Sequence, residues 1–219
     1  MRDTAIKVAI VTGIFGILTA IVAGIFSLFP KLPVGDSPNS TATSESSNTQ
    51  VSAQFFDDFS NDAKSDWKST GEWRTVNEKY TITNTRSQWA YSMVGDTSWQ
   101  DYTVETDYTI SNSRGIMIIV RAGSSGNLGL AYFVSECDHA WQILKDGDWT
   151  DLARENTSCA SEGRIKVQVA GGKFTGYLNG VTQLTLTDKN TTSGQVGIGI
   201  YCYNDSNCAT FDNFTVSSP

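Results

Sequence analysis

Histidine is almost missing from this chain: 219 residues contain one, His139. The four cysteines include no Cys-x-x-Cys pair, so a zinc site of the usual Cys/His type has little to build on. Gly-x-Ser-x-Gly, His-Glu-x-x-His and phosphate-binding glycine loops are all absent, which removes the common signatures of hydrolases, metalloproteases and nucleotide binders. Beyond residue 53 no stretch carries a long apolar repeat of helical period. Proline is scarce there, glycine is abundant, and aromatics reach 11%. That composition suits a β-sandwich with many tight turns. Basic residues are outnumbered, 16 Lys and Arg against 23 Asp and Glu, giving a formal charge of −7. Arg2, Lys7 and Lys31 offset Asp3, Asp36 and Glu45, so the deficit belongs to the region after residue 53. An acidic domain repels phosphate backbones, so nucleic acid is not an expected partner.

Residues 8–29 form one apolar run without a charge, long enough as a helix to span a hydrocarbon core. A cleaved signal peptide is the rival reading, but its apolar core is shorter and ends at small residues. Here the run ends Phe26-Ser27-Leu28-Phe29-Pro30. The expectation is a single uncleaved transmembrane helix in the cell membrane. Arg2 and Lys7 before it place residues 1–7 in the cytoplasm and the C-terminal domain outside. Thr12, Gly16, Ala20 and Gly24 form a small-residue stripe through which two such helices could self-associate. Residues 30–53 are rich in Ser, Thr, Pro and Asn and read as a flexible linker.

Residues 54–219 alternate strands and turns. Tyr102, Val104, Thr106, Tyr108 and Ile110 fall on one strand face, with Thr103, Glu105, Asp107 and Thr109 on the other. Residues 116–120 are apolar on both faces, as in a strand covered on both sides. Ile165, Val167 and Val169 alternate with polar residues, and Val196, Ile198 and Ile200 alternate with glycines. Asp146-Gly147, Gly171-Gly172 and Asn179-Gly180 mark turns, and the last two bracket a short strand in a meander. An exported domain tolerates disulfides. Cys137, Cys159, Cys202 and Cys208 allow three pairings, of which Cys137–Cys159 and Cys202–Cys208 are expected.

The domain opens Phe56-Asp57-Asp58-Phe59-Ser60, followed by Trp67 and Trp73. It continues through Trp99-Gln100-Asp101-Tyr102-Thr103-Val104-Glu105, Gly115-Ile116-Met117-Ile118-Ile119-Val120-Arg121-Ala122 and Tyr177-Leu178-Asn179-Gly180-Val181. It closes Ala209-Thr210-Phe211-Asp212-Asn213-Phe214-Thr215-Val216. This order resembles the concanavalin A-like (laminin-G-like) jelly-roll superfamily, most closely bacterial extracellular domains related to the 3-keto-disaccharide hydrolase family. The resemblance implies an all-β sandwich of two antiparallel sheets, six or seven strands each, with first and last strands paired. It also implies that the concave sheet binds sugars.

Catalysis of glycosidic bonds needs two facing carboxylates. Glu105 and Asp107 share a strand face, but the related glucanase pattern Glu-x-Asp-x-x-Glu has Ile110 in its third place. A nonenzymatic domain is therefore expected, with Glu105 and Asp107 solvated or salt-bridged and lone His139 on the surface. Asp57, Asp58 and Asp212, near the paired termini, are candidate ligands for a structural calcium; capping and ion pairing are their alternative. No other cofactor is expected. Trp67, Trp73 and Trp99 read as core. Trp89, Tyr91, Trp141, Trp149, Tyr201 and Tyr203 remain for a surface. Gly197 and Gly199 share a face with Tyr201 and Tyr203, as if clearing a groove that rings then wall, and Trp141 and Trp149 approach it. Glycan recognition through Trp141, Trp149, Tyr201 and Tyr203 is the leading function. A protein-interaction module, such as an accessory subunit of a membrane complex, ranks second, and a disaccharide hydrolase third.

Overall fold

The structure, a computed structural model, describes residues 53–84, 89–111, 113–123, 128–135, 137–145, 148–156, 159–202 and 207–219. The expected membrane segment, its Thr12, Gly16, Ala20 and Gly24 stripe, the linker up to residue 52, the Asp146-Gly147 turn and Tyr203 lie outside the described residues. Among the described residues no helix is long and apolar enough to cross a membrane.

Fifteen strands follow in order among the described residues: β1 (Ala53–Asp57), β2 (Lys68–Ser69), β3 (Glu72–Val76), β4 (Lys79–Asn84), β5 (Trp89–Val94), β6 (Tyr102–Ile110), β7 (Ser113–Ala122) and β8 (Leu130–Val134) come first. Then come β9 (Asp138–Lys145), β10 (Asp148–Asn156), β11 (Glu162–Ala170), β12 (Lys173–Leu178), β13 (Val181–Thr187), β14 (Gln195–Cys202) and β15 (Ala209–Ser217). One sheet has the order β13-β12-β11-β6-β15-β4-β3, with β1 added on β15 as its eighth strand. The other, of seven strands, runs β10-β9-β8-β7-β14-β5-β2. Every pairing is antiparallel, and the first and last strands pair with Phe56 opposite Thr215.

Period-two patterning places the core. Tyr102, Val104, Thr106, Tyr108 and Ile110 of β6 are buried while the residues between them are half-buried. Ile165, Val167 and Val169 of β11 face Ile118, Ile198 and Trp141 of the other sheet in one cluster. Trp67, Trp73 and Trp99 are partly buried and pack against that cluster, consistent with a core role. The meander at β11–β13 turns through Asn179 and Gly180, whose φ angles of 51° and 80° fit a type I′ turn. A matching turn at Asn77 and Glu78 carries no glycine.

Arg121 clamps one end of the sandwich. Its side chain is only 3% exposed. It donates to the carbonyls of Gln100, Gly171 and Thr191 at 2.6–3.1 Å and to Asp101 Oδ1 at 3.1 Å. The Arg121 amide also donates to the Tyr102 hydroxyl at 2.8 Å. One cation thus ties together the entry to β6, the β11–β12 turn and the β13–β14 connection. Both expected disulfides form, Cys137–Cys159 and Cys202–Cys208.

Candidate functional site

The outer faces of the two sheets differ in kind. The eight-stranded sheet turns charge outward. Arg164 lies opposite Asp107 in register and donates to both of its oxygens, at 2.7 and 2.9 Å, and to Glu105 at 3.3 Å. Asn213 Nδ2 adds a fourth bond, to Asp107 at 2.9 Å. The guanidinium holds the Asp107 carboxyl below the usual carboxylate range. Asp212, its cross-strand neighbour, is raised instead, chiefly by desolvation. Glu105 and Asp107 are therefore an ion-paired set, and Asp107 and Asp212 line a small depression of about 200 Å³ on this sheet.

The seven-stranded sheet is apolar on both faces. Met93, Met117, Ile119, Ala122, Ala131, Phe133 and Ala140 point away from the main core and form a second apolar layer. Trp89, Tyr91, Trp149 and Tyr201 pack over it. This explains why residues 116–120 carry apolar side chains on both faces. Trp149 belongs to β10 and Trp89 to β5, with four strands between them. At roughly 4.8 Å per strand step, a flat sheet would hold them about 24 Å apart. Their ring centroids are 5.9 Å apart. The sheet is therefore strongly cupped, and the start of β10 folds back over β5. Trp89 also meets Tyr201 at 4.2 Å and Phe133 at 6.2 Å, and Trp149 meets Tyr91 at 6.3 Å.

A cleft of about 680 Å³ opens on this cupped face. Trp89, Phe133 and Tyr201 supply its apolar wall, and Asp138, Gln142 and Arg154 its polar one. Ser111, Ser113 and Ser135 stand at its rim. Arg154 pairs with both Asp138 and Asp151, and holds the Asp151 carboxyl below its ordinary range. Gln142, 6% exposed, donates from Nε2 to Asp151 Oδ1 at 2.7 Å. Its Oε1 is buried and has no hydrogen-bond partner, and neither does Trp149 Nε1. The Trp149 N–H lies near the Tyr91 hydroxyl and opposes the upward shift that burial gives that phenol, but the contact falls short of hydrogen-bond geometry.

Several expectations need correction. Trp141 is fully buried between the sheets, with its N–H donating to the Leu184 carbonyl at 3.2 Å, so no ring face is left for a ligand. It shares the inward side of β9 with His139 and Ile143; the cleft side carries Asp138, Ala140 and Gln142. Gly197, Gly199 and Tyr201 do share the cupped face, yet the glycines clear no groove. A Cβ on Gly197 would lie 2.4 Å from Met93 Sδ, and one on Gly199 would lie 2.7 Å from Met117 Cγ. Methionine side chains fill that space and form the floor. His139 is not on the surface: it is 1% exposed, with Nδ1 2.8 Å from the Tyr132 hydroxyl and Nε2 unpartnered. Burial lowers its pKa.

Asp57, Asp58 and Asp212 do not converge. Asp57 is buried and accepts from the amides of Phe59 and Lys64 and from Trp67 Nε1, at 2.9–3.1 Å. Asp58 accepts from Ser60. The Asp57 carboxylate is occupied in closing the first turn of the domain. Among the described residues no group of three His, Cys, Asp or Glu could hold a metal ion. Sequence reasoning missed Asp138, Gln142, Asp151 and Arg154, because alternation on β9 does not single out a face and β10 shifts register between Asp151 and Ala153.

Two antiparallel sheets with paired termini and an aromatic cleft on the cupped sheet define a concanavalin A-like jelly roll of lectin type. Residues 55–219 match the model of the galactocerebrosidase C-terminal lectin domain, and the chain belongs to that family. Among solved structures it is similar to the carbohydrate binding module CBM66 from Bacillus subtilis, at 21% identity and TM-score 0.58 over 70% of this chain and 96% of that one. It is also similar to the exoplasmic/lumenal domain of VIP36 in its Ca²⁺-bound form (12%, TM-score 0.54, 72% and 85%). SCLam, a non-specific endo-β-1,3(4)-glucanase of family GH16, shares the fold as well (9%, TM-score 0.54, 78% and 92%). At these identities the likeness is one of fold. No curated protein matches the sequence.

Proposed function

We propose that this protein binds glycans without cleaving them, at the cleft of the seven-stranded sheet. The carrying observation is the pairing of Trp89 and Tyr201 rings with a polar wall in one 680 Å³ cleft. Sugars present apolar ring faces to aromatics and hydroxyls to polar groups, and this cleft offers both. Membership of a lectin-domain family supports the same reading. At this cleft the ionic groups argue against hydrolysis. A retaining or inverting pair needs one carboxyl kept protonated near neutral pH. Asp138 and Asp151 share one guanidinium across the cleft wall, and Asp151 is shifted the wrong way for an acid. Glu105 and Asp107 share Arg164 on the other sheet, where Asp212, raised by burial, is the carboxyl with the shift an acid needs.

The apolar run at residues 8–29 supports a membrane anchor with the domain held outside the cytoplasm, and two disulfides suit that compartment. Pairing of two anchors through Thr12, Gly16, Ala20 and Gly24 is part of the same reading. The test is a glycan array probed with the full chain in detergent, with product analysis on every glycan bound. Binding without new reducing ends supports the proposal. Reducing ends released in proportion to protein would replace it with a hydrolase.

A further inference from the structure

Resting on the glycan-binding reading, we infer that Gln142 is the residue that selects the ligand, by accepting a hydrogen bond from one free hydroxyl of a sugar. Three facts carry this. First, Gln142 lines the same cleft as Trp89, Phe133 and Tyr201. Second, the amide orientation is fixed. Nε2 donates to Asp151 Oδ1 at 2.7 Å, and Asp151 is itself held by Arg154 Nε at 2.7 Å. A flipped amide would turn its oxygen onto a carboxylate, which repels it. Third, the remaining acceptor, Oε1, is buried without a partner.

A buried acceptor with no donor is costly unless something supplies one. Oε1 is closed to water in the free protein, so a ligand hydroxyl reaches it only as the side chains over the cleft wall part, and it then gains a bond without displacing solvent from the protein side. The chemistry is one-sided. Oε1 accepts only, so an O–H satisfies it, whereas an ether oxygen or a carboxylate in the same place does not. The chain Arg154–Asp151–Gln142 thus selects a hydroxyl donor, with Asp151 as a positioning residue.

The experiment uses the full chain in detergent and a panel of methyl glycosides of glucose, galactose and mannose, each with its single-position deoxy analogues. For a glycoside that binds, one deoxy analogue should bind wild type about tenfold more weakly, the order expected for a lost hydrogen bond to a buried acceptor. Q142M keeps the side-chain length and removes the acceptor. It should bind the parent glycoside with the same loss, and should no longer distinguish parent from deoxy analogue. D151N should retain part of that discrimination, because it frees the Gln142 amide to flip. Circular dichroism confirms that both variants fold; if Q142M does not, D151N and the conservative Q142N carry the same comparison. A bound glycoside whose deoxy series is discriminated equally by wild type and Q142M overturns this inference and leaves glycan binding standing. No binding of any glycoside or arrayed glycan overturns both.

Discussion

Arg164 donates to both carboxylate oxygens of Asp107, from Nε at 2.7 Å and Nη2 at 2.9 Å. The pair sits on the outer face of the eight-stranded sheet, opposite the cleft. All three side chains in the group, Arg164, Asp107 and Glu105, are about a third or more exposed. Exposed pairs of this sort contribute roughly 0–1 kcal/mol. Glu105→Gln and Asp107→Asn should therefore stay folded, melt within a few degrees of wild type, and bind glycan unchanged. Sugar release by wild type that Asp107→Asn abolishes would show that this face is catalytic.

Core and cleft aromatics should separate cleanly. Trp141 is wholly buried and Tyr201 only partly. Trp141→Ala should cost about 3–5 kcal/mol in urea unfolding. Tyr201→Ala should leave the fold standing and weaken glycan binding severalfold. The reverse pattern would mean that the two faces of the seven-stranded sheet are exchanged in function.

Much of this architecture is visible in the residue pattern. Alternation in β6 and β11 and the Asn179-Gly180 turn follow from local signals, the pairing of first and last strands from the jelly-roll resemblance, and the two disulfides are the favoured one of three pairings. The cleft was only half legible. On β9 both sets of alternate residues contain apolar members, His139, Trp141 and Ile143 against Ala140 and Leu144, so period two cannot choose the inward face. The reach of Trp149 to Trp89 depends on sheet curvature summed over five strand steps, which no local pattern encodes. The role of Arg121 has no local signature, because its carbonyl partners come from three distant segments.

That clamp has a measurable value. Arg121→Met keeps the apolar stem but leaves the Gln100, Gly171 and Thr191 carbonyls without their donor. Each such group costs about 1–3 kcal/mol where water cannot reach it. Unfolding of this variant should show a loss of several kcal/mol, whereas Arg74→Met, at an exposed pair with Glu72, should change stability little. Equal effects from the two would remove Arg121 from its structural role.

His139 gives the domain an acid-sensitive term. Its pKa is lowered by burial, against opposing pulls from Asp138 and Glu155, and its ring stacks on Tyr132. The unfolded chain then binds a proton near pH 6.5 that the folded chain refuses. Stability should be flat above that pH, fall as pH drops through it, and level off below the folded-state value. As His139 is the sole histidine, His139→Gln should flatten the profile between about pH 7.5 and 5. An unchanged slope in the variant would assign the acid sensitivity to carboxylates.

The two disulfides should each stabilise by roughly 2–4 kcal/mol. Nonreducing peptide mapping should recover Cys137 with Cys159 and Cys202 with Cys208. Four free thiols in protein isolated from its native cells would contradict both the pairing and the proposed oxidising compartment.

The cupped sheet as a noncatalytic glycan-binding face is tested most directly by one array measurement on three proteins: wild type, Trp89→Ala and Tyr177→Ala. Trp89 walls the cleft, whereas Tyr177 lies on the eight-stranded sheet beneath Lys166. Wild type and Tyr177→Ala should bind the same glycans with equal signal, and Trp89→Ala should lose them while remaining folded. Glycan signal that survives Trp89→Ala and disappears in Tyr177→Ala would contradict the account.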